Sequence, residues 1–339
     1  MPPGAGGCTW RWGDRTTTAG SRVRCVDAPA ISARGLRRSF AGTDAVAGVD
    51  LDVQPGEVFG FLGPNGAGKT TTVRMLCTLL PLSGGSATVA GHDVTSESAA
   101  VRRKIGVALQ EIGLDPLQTG RELLELQAGL YRVPKPRERA AQLLDLVGLT
   151  EAAGRRVKTY SGGMKRRLDL ASALVHAPEV LFLDEPTTGL DVSSRITVWD
   201  EVRRINAMGT TIFLTTQYLE EADQLCQRLA IIDGGRLVAE GTPDALKRQM
   251  GADVVTIGLG RGGRKQDLRD AVSPLAGVDH VTDNEAGIAV YVTNGARAVP
   301  DIVRALDEAG VEVGAISISR PTLDDVFLEA TGRSLEGTA

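Results

Sequence analysis

The sequence predicts an α/β fold interrupted by a helical subdomain and followed by a small α+β domain. Three observations predict it. Apolar runs of the kind buried on both faces of a sheet recur at Val58-Phe59-Gly60-Phe61-Leu62, Val180-Leu181-Phe182-Leu183 and Thr211-Ile212-Phe213-Leu214. The first run leads directly into a glycine-rich loop and then into an apolar-periodic helix carrying Val73, Met75, Leu76 and Leu79. From about residue 112 the texture changes to helices, and from about residue 252 strands and helices resume as a second unit.

The loop is Gly63-Pro64-Asn65-Gly66-Ala67-Gly68-Lys69-Thr70, followed by a second threonine, Thr71. Glycines without Cβ let consecutive backbone N–H groups turn inward, and the new helix adds its unsatisfied N–H groups and a positive dipole end of roughly half a charge. A triphosphate fits there. Lys69 reaches the β/γ-phosphates as a point charge, and the Thr70 hydroxyl completes the shell of a magnesium ion. The plainer alternative is a glycine turn that caps a helix; with every fixed position filled and both flanks correct, the phosphate reading is preferred.

Size and composition bound the rest. A chain of 339 residues, 42% hydrophobic and 24% charged, buries a substantial core and is expected to hold two domains. A net charge of -4 and the absence of a long lysine or arginine block argue against nucleic acid as a partner. Cys8, Cys25, Cys77 and Cys226 are scattered, without a C-x-x-C pair, which reads as a reduced, cytoplasmic protein. No run of about 18 apolar residues occurs, so any work at a membrane is expected to need another subunit.

Taken in order, residues 1-28 are rich in Gly, Arg and Thr, leave Trp10 and Trp12 without apolar neighbours, and read as a disordered tail or an over-extended start. Structure is expected from Ile31, with strands through Leu36 and from Val46 to Val53, and a turn at Gln54-Pro55-Gly56. A strand at Ala87-Thr88-Val89 and a buried strand from Ile105 to Gln110 follow. Thr119 with Glu122 forms a capping box, opening a helix with Leu123, Leu126 and Leu130 on one face. Val133-Pro134-Lys135-Pro136 breaks it. The next helix carries Ala140, Leu143, Leu144 and Val147 and ends at Gly148. A helix with Ile196, Trp199, Val202 and Ile205 lies between the later strands, and a hairpin turns at Asp233-Gly234-Gly235-Arg236. The C-terminal unit reads as strands at Val254 to Leu259, Ile288 to Val292 and Val311 to Ser319. Its helices are a short one from Gln266, one using Val299, Ile302, Val303 and Leu306, and a last one capped by Thr322 that buries Leu323, Val326 and Phe327.

Two further stretches carry chemistry. Asp184 and Glu185 stand at the end of a buried strand, where a parallel sheet also places its phosphate loop. Asp184 suits the outer shell of Mg²⁺, and Glu185 suits the water that attacks the γ-phosphate. In Tyr160-Ser161-Gly162-Gly163-Met164, Ser161 caps a helix whose first turn is glycine, exposing N–H groups to an anion. With one phosphate loop already at one end of the nucleotide, a second helix start makes best sense when supplied by another copy of the chain.

These motifs, in this order across roughly residues 31-245, resemble the nucleotide-binding subunit of an ABC transporter. The resemblance implies a P-loop NTPase sheet with a helical subdomain at about 112-178, within an ATP-binding domain of residues 29-250, and an accessory α+β domain at 251-339. It implies ATP and Mg²⁺ as ligands, and a homodimer closing two ATP molecules between Lys69 of one copy and Ser161, Gly162 and Gly163 of the other. It assigns Gln110 to the γ-phosphate, the metal and the membrane subunit, Asp191 in Gly189-Leu190-Asp191 to the link between the two sites, and Phe40 to the adenine ring. Such stacking is worth about 1–3 kcal/mol per base, although Phe40 also fits an ordinary strand end. Gln217 stands where most of the family has a histidine, and an amide donates and accepts there without carrying charge. Tyr160 and Met164 replace the usual leucine and glutamine of the signature. With Arg320-Pro321-Thr322-Leu323-Asp324-Asp325-Val326-Phe327, these features resemble the daunorubicin/doxorubicin-resistance branch of exporters. The implied function is export of a drug or natural product through a separate integral membrane permease, from the cytoplasmic face of the membrane. Two alternatives stay open: a soluble ABC ATPase acting on ribosomes or DNA, and an importer ATPase.

Overall fold

The computed structural model describes residues 28–111, 113–249, 253–260, 264–283 and 287–332. The reading of residues 1-28 as a tail, with Cys8, Trp10, Trp12 and Cys25, thus lies outside the described residues except for Ala28. The described chain forms two compact bodies, one of the chain up to Val58 with Thr70–Thr215, the other of Phe59–Lys69 with the chain from Thr216 onward.

The first body holds an antiparallel sheet of β1 (Ile31–Phe40), β2 (Thr43–Val53), β4 (Gly84–Val89) and β5 (His92–Asp93), in the order β2-β1-β4-β5. Alternation drives it: Ile31, Ala33 and Leu36 point inward and are fully buried, as are Val49 and Val53 across the β1/β2 ladder. Three parallel strands form its second layer: β6 (Ile105–Ala108), β7 (Val180–Asp184) and β8 (Thr211–Thr216), paired Ile105↔Val180 and Val180↔Thr211. Every residue of β7 and β8 is buried, the apolar runs Val180 to Leu183 and Ile212 to Leu214 together with the polar Asp184, Thr211, Thr215 and Thr216.

The helices of this body are α1 (Lys69–Leu76), which begins at the last residue of the loop, α2 (Ser98–Lys104), α3 (Gly120–Leu130), α4 (Pro136–Leu146), α5 (Gly162–Ala173) and α6 (Val192–Ala207). At the start of α3 the capping box forms as expected: Glu122 N–H donates to Thr119 Oγ1 at 3.2 Å and Thr119 N–H to Glu122 Oε2 at 2.9 Å. The buried face of α3 is Leu123, Leu124 and Ala128, whereas Leu126 and Leu130 face outward, contrary to the single stripe expected. Leu79 lies beyond the end of α1 and is exposed, and Ile196 is exposed on α6. On α3 and α6 the helical period marks a face wider than the packing partner covers, whereas Leu79 falls outside its helix.

The second body joins β3 (Val58–Leu62) in parallel to β9 (Arg228–Asp233), which forms the expected hairpin with β10 (Arg236–Gly241). It also contains α7 (Leu219–Leu225) and α8 (Pro243–Gln249). The chain continues as β11 (Asp253–Leu259), α9 (Lys265–Val272), β12 (Val278–Asp283), β13 (Gly287–Val292), α10 (Gly295–Glu308) and β14 (Val313–Ser319). This β-α-β-β-α-β run makes an antiparallel sheet of order β12-β13-β11-β14. Val255, Ile257, Ile288 and Val290 form its core with Leu268 of α9 and Ile302 and Leu306 of α10, while Val303 is exposed. The last helix, α11 (Leu323–Thr331), has the expected Thr322 cap and packs Leu323, Val326 and Phe327 inward, in contact with α7, α8 and β10.

Replacing Thr119 by Ala removes the side-chain half of the α3 capping box, the bond from Glu122 N–H, and keeps the backbone N–H that donates to Glu122 Oε2, with an expected loss of about 1 kcal/mol in urea unfolding. An unchanged midpoint and slope would show that the box does not hold the helix start.

Candidate functional site

In the second body the glycine loop closes on itself. Ala67 N–H donates to Pro64 O at 3.2 Å, and Gly235 N–H, from the β9/β10 turn, donates to Ala67 O at 3.1 Å. Gly63 passes so close to β9 that a Cβ would lie 2.4 Å from Ile232 O, and Gly68 has φ +107°, which side chains with a Cβ rarely adopt. Lys69 is buried at 4% exposure, its Nζ donating to Gly63 O at 2.8 Å and Pro64 O at 3.1 Å. Asn65 and Gly66 are exposed at the loop's tip, and Gln217 is half-buried; Gly63 N–H donates to Thr216 O, beside Gln217, at 3.3 Å.

In the first body, Thr70, the residue after Lys69, opens the chain on the half-buried first turn of α1 with Thr71. Thr70 Oγ1 donates to Asp184 Oδ1 at 3.3 Å, and Thr215 Oγ1 from β8 donates to the same oxygen at 2.5 Å. Asp184 is 1% exposed, and its other oxygen, Oδ2, is buried with no hydrogen-bond partner among the described residues. A buried carboxylate oxygen left unmatched is costly. An orphan oxygen beside a threonine hydroxyl suits a hard cation such as Mg²⁺, which takes one or two carboxylates and completes its shell with substrate phosphates and water. No group of three or more His, Cys, Asp or Glu collects among the described residues, so an all-protein cage is not offered.

Glu185 follows at φ +47°, a left-handed conformation that a non-glycine residue holds only when its surroundings enforce it. Its N–H donates to Thr215 O and to Thr215 Oγ1, both at 3.1 Å. Its Oε2 accepts from Gln110 Nε2 at 3.2 Å and from Thr188 Oγ1 at 3.3 Å. Gln110, Glu185, Thr188 and Leu190 share the walls of a cavity of about 90 Å³. The structure therefore joins Gln110 to Glu185 directly, a contact across the fold that no local pattern in the sequence announces.

Ser161 caps α5 as expected, accepting from Met164 N–H at 3.2 Å, with Ser161 and Gly162 exposed. Buried Tyr160 reaches away from the helix, its hydroxyl donating to Ala152 O at 2.7 Å. Asp191 caps α6, accepting from Ser193 Oγ at 2.7 Å, Ser194 N–H at 2.9 Å and Ser194 Oγ at 2.8 Å, and these bonds hold its carboxyl well below the usual range. Ser194 in turn abuts Gly163, where a Cβ would come within 2.8 Å of its Oγ. Two segments expected at one site, Ser161 to Gly163 and Asp191, thus lie together. Phe40 ends β1 in the antiparallel sheet, 45% exposed, with the Arg38 guanidinium 4.7 Å over its ring.

A family profile described as ABC transporter matches residues 46–188, and one described as ATP-binding protein DrrA1-3-like, C-terminal domain, matches residues 241–331. The chain is 48% identical over 305 residues to daunorubicin resistance ATP-binding protein DrrA3 of Streptomyces coeruleorubidus, covering 89% of this chain and 96% of that protein. It is 47% identical over 309 residues to daunorubicin/doxorubicin resistance ATP-binding protein DrrA of Streptomyces peucetius, covering 89% and 92%. Among solved structures it is similar to an ATP-binding subunit of an ABC transporter, with TM-score 0.59 and 26% identity, covering 65% of this chain and 92% of that one.

One residue of the site escapes the sequence reading. Arg166, in the basic run Lys165-Arg166-Arg167 that the sequence reading passes over, is 4% exposed and pairs with Asp169 at 3.2 Å. Burial pushes the Asp169 carboxyl up to about 6, with the Arg166 guanidinium pulling the other way. A carboxyl with a raised folded pKa contributes stability that is fully present below its unfolded value and is lost as pH rises through about 6. Between pH 4 and pH 7 the wild-type chain should therefore lose stability relative to Asp169→Asn, by at most about 3 kcal/mol. Parallel curves in urea at the two pH values would show that Asp169 does not titrate there.

Proposed function

Because the chain belongs to the family of ABC transporter ATP-binding proteins, we propose that it is the ATPase of an exporter, hydrolysing ATP as a homodimer to drive efflux of a drug or natural product through a separate integral membrane permease. The observation that carries this reading is the end of β7. There Asp184 shares a hydrogen bond with Thr70, next in the chain to Lys69, and Glu185 is held in a strained backbone beside Gln110. A buried acid pair, its Asp184 bonded to the threonine that follows a phosphate-loop lysine in the chain, suits in-line attack of water on a γ-phosphate.

The residues take these roles. Backbone N–H groups of Asn65, Gly66, Gly68, Lys69, Thr70 and Thr71 cradle the phosphates, Gly63, Pro64 and Ala67 shape the loop through their own backbone bonds, and Lys69 leaves its loop carbonyls for the β/γ-phosphates. Thr70, Asp184 and Gln110 hold Mg²⁺, which when bound neutralises the charge of the phosphates. Glu185 orients the attacking water, and Gln217, next to the Thr216 carbonyl bonded to Gly63, supplies an uncharged hydrogen bond to the γ-phosphate. Ser161, Gly162 and Gly163 of a second copy complete each site, with Asp191 linking the two, and Phe40 stacks on the adenine once Arg38 yields its face.

The assignment of export over other ABC activities follows the relatives, named for resistance to daunorubicin and doxorubicin. No helix among the described residues is long and apolar enough to cross a membrane; the proposal places this chain at the cytoplasmic face, beside a separate permease subunit. Leu117, Leu126, Leu130 and Tyr131, exposed on and beside α3, give the helical subdomain an apolar surface for that permease. Residues 29-250 act as the ATP-binding domain and 251-339 as an accessory domain.

Two measurements test this. Glu185→Gln should cut steady-state turnover by about 100-fold or more with nucleotide binding retained; intact turnover would remove Glu185 from the role of orienting water. Turnover per chain should rise with protein concentration as dimers form, and a dilute sample as fast per chain as a concentrated one would exclude sites shared between copies.

A further inference from the structure

Arg166 sits on the second turn of the helix that Ser161 caps, and besides Asp169 in that helix its guanidinium reaches three carbonyls outside it. Nε donates to Pro186 O at 2.9 Å, Nη2 to Asp184 O at 3.1 Å and Nη1 to Leu109 O at 2.6 Å. Those carbonyls belong to the residues on either side of Glu185 and to the residue before Gln110. A guanidinium presents its N–H groups in one rigid plane, so three carbonyls from two separate strand ends are fixed to one another and to α5 at once. An ammonium, a single point with three rotatable donors, does not reproduce that plane. The next residue, Arg167, takes a different course, donating to Val147 O at 2.9 Å. The clamp is therefore specific to Arg166 and not a property of the basic run.

We propose that Arg166 is a positioning residue for hydrolysis, its guanidinium locking strained Glu185 and its partner Gln110 to the helix that begins at Ser161. The inference rests on the ATPase reading above and deepens it. In a dimer whose Ser161 faces the partner's nucleotide, movement of the α5 start is carried by one rigid group to the carboxylate that orients water in the same chain. Asp169, one turn along α5, holds the guanidinium in its plane.

The test uses the full-length protein, comparing wild type, Arg166→Lys, Glu185→Gln and the double variant by steady-state and single-turnover ATP hydrolysis, nucleotide binding and thermal melting. Arg166→Lys should lower kcat about 10- to 100-fold, as expected for a small misplacement of a reacting group, with KM for ATP unchanged and the chain still folded at the assay temperature. In the Glu185→Gln background it should cause no further loss, because both act on one step. Wild-type turnover in Arg166→Lys, a loss that multiplies with Glu185→Gln, or a fall in kcat matched by falls in KM affinity and Tm would each overturn the proposal. Should Arg166→Lys fail to fold, Asp169→Asn serves instead: a smaller fall in kcat with KM unchanged supports the clamp, and unchanged kcat overturns it. A wild-type chain that does not hydrolyse ATP, or undiminished turnover in Glu185→Gln, would overturn the ATPase reading and not the clamp alone.

Discussion

The rest of the structure depends on a carboxylate buried with one oxygen tied and the other unmatched. Asp184 reaches that position because the four residues before it are buried on both faces, so β7 first meets polar partners at its last residue. Threonines from two other elements, Thr70 of α1 and Thr215 of β8, both donate to Oδ1, leaving Oδ2 with no hydrogen-bond partner among the described residues. Leaving a buried acceptor unsatisfied costs about 1–3 kcal/mol, more for a charged group. Such an oxygen beside the Thr70 hydroxyl suits a cation better than it serves stability.

Glu185 shows the same exchange of stability for geometry in its backbone. A left-handed, non-glycine residue costs on the order of 1–3 kcal/mol and persists only where its neighbours over-determine it. Here the determinants can be counted by kind: a β8 carbonyl and hydroxyl on its N–H, an amide and a hydroxyl on its carboxylate, and the Arg166 fork on the carbonyls flanking it. Gln217 fits that scheme. On the function proposed above, an uncharged amide would not share the electrostatic load, and the precision of Glu185 would carry more of the chemistry.

Local chemistry was legible in the sequence wherever a motif satisfies its own backbone. The capping boxes at Thr119 and Thr322, the Gly148 helix end at φ 62°, the Asp233 to Arg236 hairpin and the Ser161 cap all stand where residue types alone place them. What was not legible depends on partners far along the chain. Leu126, Leu130, Ile196 and Val303 follow a helical period yet lie exposed, because a period marks a face and not the width of what covers it. β12, an edge strand reading Val-Asp-His-Val-Thr-Asp, lacks an apolar stripe, and the seven-residue helices α2, α7 and α8 are too short to display one. In the site, the loop, the acid pair and the helix cap were readable, whereas the bond between Gln110 and Glu185, the clamp of Arg166 and the Arg38 guanidinium over Phe40 exist only once the chain is folded.

The two helix starts beside each other explain which of them is left for a phosphate. α5 and α6 both begin at exposed N-caps, and Gly163 of one abuts Ser194 of the other, so their positive ends lie together. The α6 cap is a carboxylate: Asp191 brings its own negative charge to that end and binds Ser194 N–H with it. The α5 cap is a neutral serine, followed by two glycines that add no side chain over the first turn. An anion arriving at this face therefore meets repulsion at one helix start and an uncompensated dipole at the other. On the function proposed above, Asp191 would do two things with one charge, ending the need of α6 for an external anion and leaving the Ser161 helix start as the one suited to the phosphate of a second copy's nucleotide.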